Sequence, residues 1–163
     1  MILIGIGSNL TSAAGGPLAT CEAALARLEA EGVKVLARSP WYETAPVPVS
    51  DQPWFVNGVA NVEATLDPAK LLDLLHRIEA EFGRVRGELN ASRTLDLDLL
   101  AYGNLVWQES APLMPHPRMH ERAFVLLPLK DLAPGWRHPV TGLTVDALIT
   151  DLLPGQQIRA VKP

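Results

Sequence analysis

A strict two-residue alternation at positions 95–100 constrains this chain more than any other feature. Leu95-Asp96-Leu97-Asp98-Leu99-Leu100, introduced by Arg93-Thr94, sets apolar and acidic residues in turn, the pattern of a half-buried strand. Successive side chains point to opposite faces, so Leu95, Leu97 and Leu99 anchor one face and Asp96 and Asp98 share the other. The two acidic Cα atoms are then about 6–7 Å apart, twice the strand rise. Carboxylates held that close repel one another and resist desolvation unless a cation joins them. Mg²⁺, which takes one or two carboxylates plus substrate phosphates, suits the pair. A plain solvated strand face is the simpler account, and an isolated D-x-D does not separate the two.

The neighbourhood does. Arg84 and Arg86 open the preceding loop, Arg93 closes it, and His116 and Arg122 follow downstream. The planar guanidinium fork matches two phosphate oxygens. One arginine here would read as a surface ion pair, but three in ten residues, leading into paired carboxylates, suggest a polyphosphate seat. Gly83 and Gly87 allow that loop to hinge, and an arginine-bearing lid is a device for closing over phosphates. His116 sits in Pro115-His116-Pro117-Arg118, a rigid bend, where it could donate to a phosphate oxygen. Phe55, Asn57 and Phe124 read either as core or as two aromatic faces and an amide suited to a flat heterocycle.

The remaining pattern predicts one domain over residues 1–163. Residues 2–7 form a strand, and a helix follows from Leu18 to Glu31, opened by Pro17 and ended by Gly32. Val33 to Thr44 reads as a second strand and Phe55 to Thr65 as a third, joined by a proline-rich loop. Asp67-Pro68 caps a second helix that carries Leu71, Leu72, Leu75 and Ile78 and stops near Gly83. The 95–100 strand completes a β-α-β-β-α-β order, the split βαβ, ferredoxin-like plan. Short helices near Ala123–Leu132 and Val145–Leu152 belong to a C-terminal extension that would extend or cover the sheet. The fold class is therefore α+β: an antiparallel ferredoxin-like sheet with helices packed on it.

Other classes fit poorly. A net charge of −4 gives no basic footprint for nucleic acid, and no stretch approaches the ~20 apolar residues needed to cross a bilayer. Cys21 is the only cysteine, which rules out an intrachain disulfide and a cysteine metal cluster. Gly5-Ile6-Gly7 lacks the third glycine of a dinucleotide fingerprint, and no P-loop occurs. A cytoplasmic location is expected. Two classes fit the residues read so far: a non-catalytic ferredoxin-like module that holds a small ligand or RNA, and a Mg²⁺-dependent nucleotidyl or glycosyl transferase using the D-x-D. The former should carry aromatic and basic residues on its sheet if it bound RNA. The latter leaves Arg93 and the Pro-His-Pro-Arg bend unexplained.

In order, Ile6-Gly7-Ser8-Asn9-Leu10, Tyr42-Glu43-Thr44, Gln52-x-x-Phe55-x-Asn57, Gly83-Arg84-x-Arg86, Arg93-Thr94-Leu95-Asp96-Leu97-Asp98 and Pro115-His116-Pro117-Arg118-x-x-x-Arg122-x-Phe124-Val125 resemble the 6-hydroxymethyl-7,8-dihydropterin pyrophosphokinases of folate biosynthesis. The resemblance runs from residue 2 to about residue 134. It implies pyrophosphoryl transfer from ATP to the hydroxymethyl group of a reduced pterin, leaving AMP. It also implies two Mg²⁺ ions on Asp96 and Asp98, and catalytic roles for those residues with Arg84 and Arg93. ATP would be held by Glu79, Arg84, Arg93, His116 and Arg122. Phe55 and Phe124 would sandwich the pterin, with Asn57 and the backbone near Thr44, Pro46 and Val47 reading its edge. The implied partners are these small molecules alone, with no nucleic acid and no membrane, and the implied state is a monomer. Residues 87–92 depart from the family in lacking the Lys and Trp that some members carry there.

Overall fold

The computed structural model of the protein describes residues 1–46, 48, 50–83 and 94–162. Strands β1 (Ile2–Ser8), β2 (Lys34–Arg38), β3 (Tyr42–Thr44), β4 (Phe55–Glu63), β5 (Asp96–Tyr102) and β6 (Ile158–Ala160) form one antiparallel sheet. Its order is β5-β1-β4-β3-β6, with β2 also paired to β4. Helices α1 (Pro17–Ala30) and α2 (Pro68–Glu81) follow β1 and β4, and α3 (Ala123–Leu132) and α4 (Val145–Thr150) belong to the C-terminal extension. The α+β order is the expected one. No helix among the described residues is long and apolar enough to cross a membrane.

Both helices of the βαββαβ unit begin and end as their sequences dictate. Pro17 and Pro68 occupy first-turn positions where a missing N–H costs nothing. The Asp67 carboxylate accepts the Lys70 N–H at 2.9 Å, a side-chain N-cap. Gly32 and Gly83 follow the helix ends with φ of 88° and 89°, a backbone region in which a Cβ would be strained.

The expected single strand from Val33 to Thr44 is two strands. β2 pairs with Ala60–Glu63 and β3 with Phe55–Asn57, so together they occupy one strand position beside β4. The break at Ser39-Pro40-Trp41 has a local cause. Pro40 has no N–H for the ladder, and the buried Ser39 Oγ instead accepts the Val59 N–H at 3.0 Å. The Trp41 ring then lies over Gly58, where a Cβ would come within 2.6 Å of it. β4 also stops at Glu63, short of Thr65.

The sheet has two unlike faces. On one, Ile4, Ile6, Leu95, Leu97 and Leu99 pack against Cys21, Leu28, Leu71, Leu75 and Ile78 of α1 and α2. Burial pushes the Cys21 thiol up to about 12, with Glu22 adding to the shift, so this side chain acts as a small hydrophobe. On the other face, Leu3, Val59, Leu100 and Ala101 pack against Val125 and Leu129 of α3 and Val145 of α4. This second core covers only part of its face. It stops where Leu3 gives way to Gly5 and Gly7, and Leu100 to Asp98 and Asp96.

Candidate active site

Beyond that second core lies a shallow, open cleft lined by Gly5, Gly7, Asn57, Asp96, Asp98 and Phe124 among others. The pairing register explains the grouping. Gly7 lies between Asn57 on β4 and Asp96 on β5, and Gly5 sits opposite Asp98. Odd positions of β1 and β4 and even positions of β5 share this face, which puts an amide on one side of a glycine floor and two carboxylates on the other.

Gly7 is required there, whereas Gly5 has room for a small side chain. A Cβ on Gly7 would fall 2.4 Å from Asn57 Oδ1, and one on Gly5 would meet Leu100 Cδ1 at 3.4 Å. Gly5-Ile6-Gly7 is thus no partial dinucleotide fingerprint. Its glycines lie on the floor of a cleft, a place that shows only once the register sets Asn57 and Asp96 beside Gly7. Ser8 and Asn9 tie the rim together. Ser8 Oγ donates to Thr94 O at 2.5 Å, fixing the entry to β5, and Asn9 Nδ2 donates to Pro53 O at 3.2 Å.

Asp96 and Asp98 are half-buried on the cleft side of β5, as the alternation requires. Arg122, at the N-cap of α3, brings its Nη1 to 4.0 Å from Asp98 Oδ2, and its guanidinium lies 5.3 Å from the Phe124 ring centre. Among the described residues, no three His, Cys, Asp or Glu side chains converge as a protein-only metal cage. The donor chemistry nevertheless fits Mg²⁺, because two carboxylates plus water and phosphate oxygens make a complete hard-oxygen shell.

His116 is held beside β5 by its own N–H, which donates to Leu100 O at 2.8 Å. Its Nδ1 accepts the Arg118 N–H at 3.1 Å, leaving Nε2 to carry the proton of the neutral ring. Burial lowers its pKa to about 4. The Arg122 guanidinium adds to the shift, and the opposing pull of Asp96 does not offset them. At neutral pH His116 is therefore an uncharged hydrogen-bond donor.

Of the residues expected to meet a heterocycle, Thr44, Phe55 and Asn57 adjoin one another across β3 and β4. Asn57 is 7% exposed and its Nδ2 donates to Thr44 Oγ1 at 2.6 Å, which fixes the amide plane. Phe55 is two residues from Asn57 on the same face of β4 and pairs with Thr44 in the β3–β4 register. Pro46, two residues beyond Thr44, is buried. Glu79 is placed differently. It is 1% exposed on α2, and its carboxylate accepts the Leu97 N–H at 2.8 Å. Arg84, Arg86, Arg93 and Val47 lie outside the described residues.

Fold and site define an α+β domain with a carboxylate pair on an edge strand and an open cleft beside it. Its sequence matches the profile of the 7,8-dihydro-6-hydroxymethylpterin-pyrophosphokinase family across residues 3–134, and the chain belongs to that family. It is 43% identical over 139 residues to the 2-amino-4-hydroxy-6-hydroxymethyldihydropteridine pyrophosphokinase of Pseudomonas aeruginosa, covering 85% of this chain and 83% of that one. The corresponding Haemophilus influenzae enzyme is 43% identical over 131 residues, with 80% and 79% covered. The folic acid synthesis protein fol1 of Pneumocystis carinii is 40% identical over 99% of this chain, which spans only 21% of that protein's length. In fold, the chain is similar to the wild-type HPPK-DHPS of Plasmodium falciparum solved with pteroate. The TM-score is 0.71 at 15% identity, covering 91% of this chain and 43% of that one.

Proposed function

We propose that the chain acts as one domain over residues 1–163 and transfers the β,γ-pyrophosphoryl group of ATP to 6-hydroxymethyl-7,8-dihydropterin in folate biosynthesis. The observation that carries this reading is the glycine floor of β1, with Asp96 and Asp98 on one side and Asn57 on the other. A nucleotide's phosphates suit the first side and the edge of a reduced pterin the second.

The hydroxymethyl oxygen attacks the β-phosphorus, the bond from that phosphorus to the α–β bridging oxygen breaks, and AMP departs with the oxygen. The hydroxyl proton passes to solvent. The transition state is loose and its charge is spread over phosphoryl oxygens, so positioning and electrostatics carry most of the rate. A site without a strong general base is consistent with that. Asp96 and Asp98 would hold two Mg²⁺ ions, which when bound neutralise charge on the phosphates. Arg122 would leave Asp98 for a phosphate oxygen, and His116 would donate from Nε2. Arg84 and Arg93 are proposed to contact the phosphates from the loop, and Glu79 to serve the nucleotide side. Phe124 and Phe55 would hold the pterin between them, and Asn57 would read its edge beside Thr44, Pro46 and Val47. We read the protein as a cytoplasmic monomer working on free small molecules. Its acidic balance accords with having no nucleic-acid partner.

Pure protein, ATP, Mg²⁺ and the reduced pterin should yield AMP and pterin diphosphate in equal amounts by mass spectrometry. ADP in place of AMP would mean attack at the γ-phosphorus. Either that outcome or the absence of both nucleotide products would overturn the reading.

A further inference from the structure

The family match ends at residue 134, yet the chain beyond it returns beside the cleft, where Gln156 and Gln157 line a neighbouring hollow with Thr44 and Phe124. Gln156 is the main point of contact. Its Oε1 accepts the Ala123 N–H at 2.8 Å and its Nε2 donates to Glu121 O at 3.0 Å. These two main-chain groups flank Arg122, so one amide side chain grips the backbone on both sides of the residue that reaches Asp98. Ala123 is the first residue of α3 and its N–H is one of the helix's unsatisfied donors. Arg122 caps this end without a side-chain bond of its own. The next residue, Phe124, belongs to the cleft wall.

The same segment also grips the opposite wall. Gln157 O accepts the Ala45 N–H at 3.0 Å, and β6 pairs with β3 from Tyr42 to Thr44. Arg159 donates to Glu43 Oε2 at 2.8 and 3.0 Å, and its guanidinium lies 4.4 Å from the ring centre of Trp54, next to Phe55. A single short stretch thus ties the strand that carries Thr44 to the turn that carries Arg122 and Phe124. The amide contributes bonds on both sides of Arg122, where a merely space-filling residue would need none.

We propose that Gln156 is a positioning residue for pyrophosphoryl transfer, holding Arg122 and Phe124 in register with the wall formed by Thr44 and Asn57. The proposal rests on the function argued above. Its test compares Gln156→Met, which keeps the side chain's length and loses both hydrogen bonds, with Gln156→Glu, which keeps the acceptor for Ala123. For Gln156→Met, kcat/KM for the pterin should fall about tenfold, the scale of a lost pair of ordinary hydrogen bonds. The melting midpoint should move by less than about 4 °C, and the Ala123 amide should exchange faster with solvent. Gln156→Glu should fall between the methionine variant and wild type, and it supplies the comparison where the methionine variant does not fold. An active wild type with an equally active Gln156→Met overturns the positioning role, as does a loss that only tracks the unfolded fraction. A wild type that forms no AMP overturns the functional reading and this proposal with it.

Discussion

The two faces of β5 carry neighbouring residues to opposite ends of the protein's physics. Leu95, Leu97 and Leu99 are 0–3% exposed in a core closed by α1 and α2. Asp96 and Asp98, one residue away in each case, face a cleft that the second core leaves uncovered. The closed face buries apolar surface and holds the strand in place. The open face contains glycines, an amide and charges that contribute little to packing. The difference sets a fully packed face against one that the second core covers only in part, and the proposed chemistry falls in the uncovered part.

Substitutions on the two faces should therefore separate activity from stability. The largest effect is expected on the open face. Asp96→Ala or Asp98→Ala should slow AMP formation by about 10³-fold or more in steady-state assays, on the scale of lost transition-state charge stabilisation, with little change in melting. Normal turnover by either variant would abolish the contrast. On the closed face, Leu97→Ala should cost about 2–5 kcal/mol in denaturant unfolding, while the molecules that remain folded keep their turnover.

Glu79 sharpens the comparison because it is a polar group inside the closed face. Glu79→Ala leaves the Leu97 N–H without its carboxylate and should cost about 1–3 kcal/mol. If Glu79 also serves the nucleotide, ATP affinity will fall by more than the lost folded fraction explains. Gly7→Ala, on the open floor, must displace Asn57 and should weaken pterin binding about tenfold, the loss of roughly one well-made hydrogen bond, as read by pterin fluorescence.

The smallest effect concerns His116. Its folded pKa, about 4, lies below the ordinary 6.5. Between those values the unfolded chain binds a proton that the folded protein refuses, so stability falls as pH drops through this window and levels off below it. In nucleotide-free protein, His116→Gln should flatten that part of the stability–pH curve. The His116 imidazole resonances of the wild type should stay those of a neutral ring down to about pH 5.

Sequence reading reached these two faces unevenly, for physical reasons. The β5 alternation and the Asp67-Pro68 cap are local rules, visible without tertiary context. The break at Ser39–Trp41 depends on Trp41 lying over Gly58, a contact between residues 17 apart that periodicity does not register. β6 is three residues long and has no apolar pattern of its own; it exists because β3 offers an edge. Gly5 and Gly7 were visible only as a failed dinucleotide motif until the register placed Asn57 and Asp96 beside them. Gln156, 33 residues from Ala123 in sequence, carried no local signal at all.

A crystal structure of the protein with Mg²⁺, a non-hydrolysable ATP analogue and the reduced pterin tests the division of the sheet most directly. The account predicts cations and phosphates against Asp96 and Asp98, with the pterin edge on Asn57 and its ring between Phe55 and Phe124. Phosphates seated elsewhere, with no cation on Asp96 or Asp98 and Asp98 still beside Arg122, would contradict it.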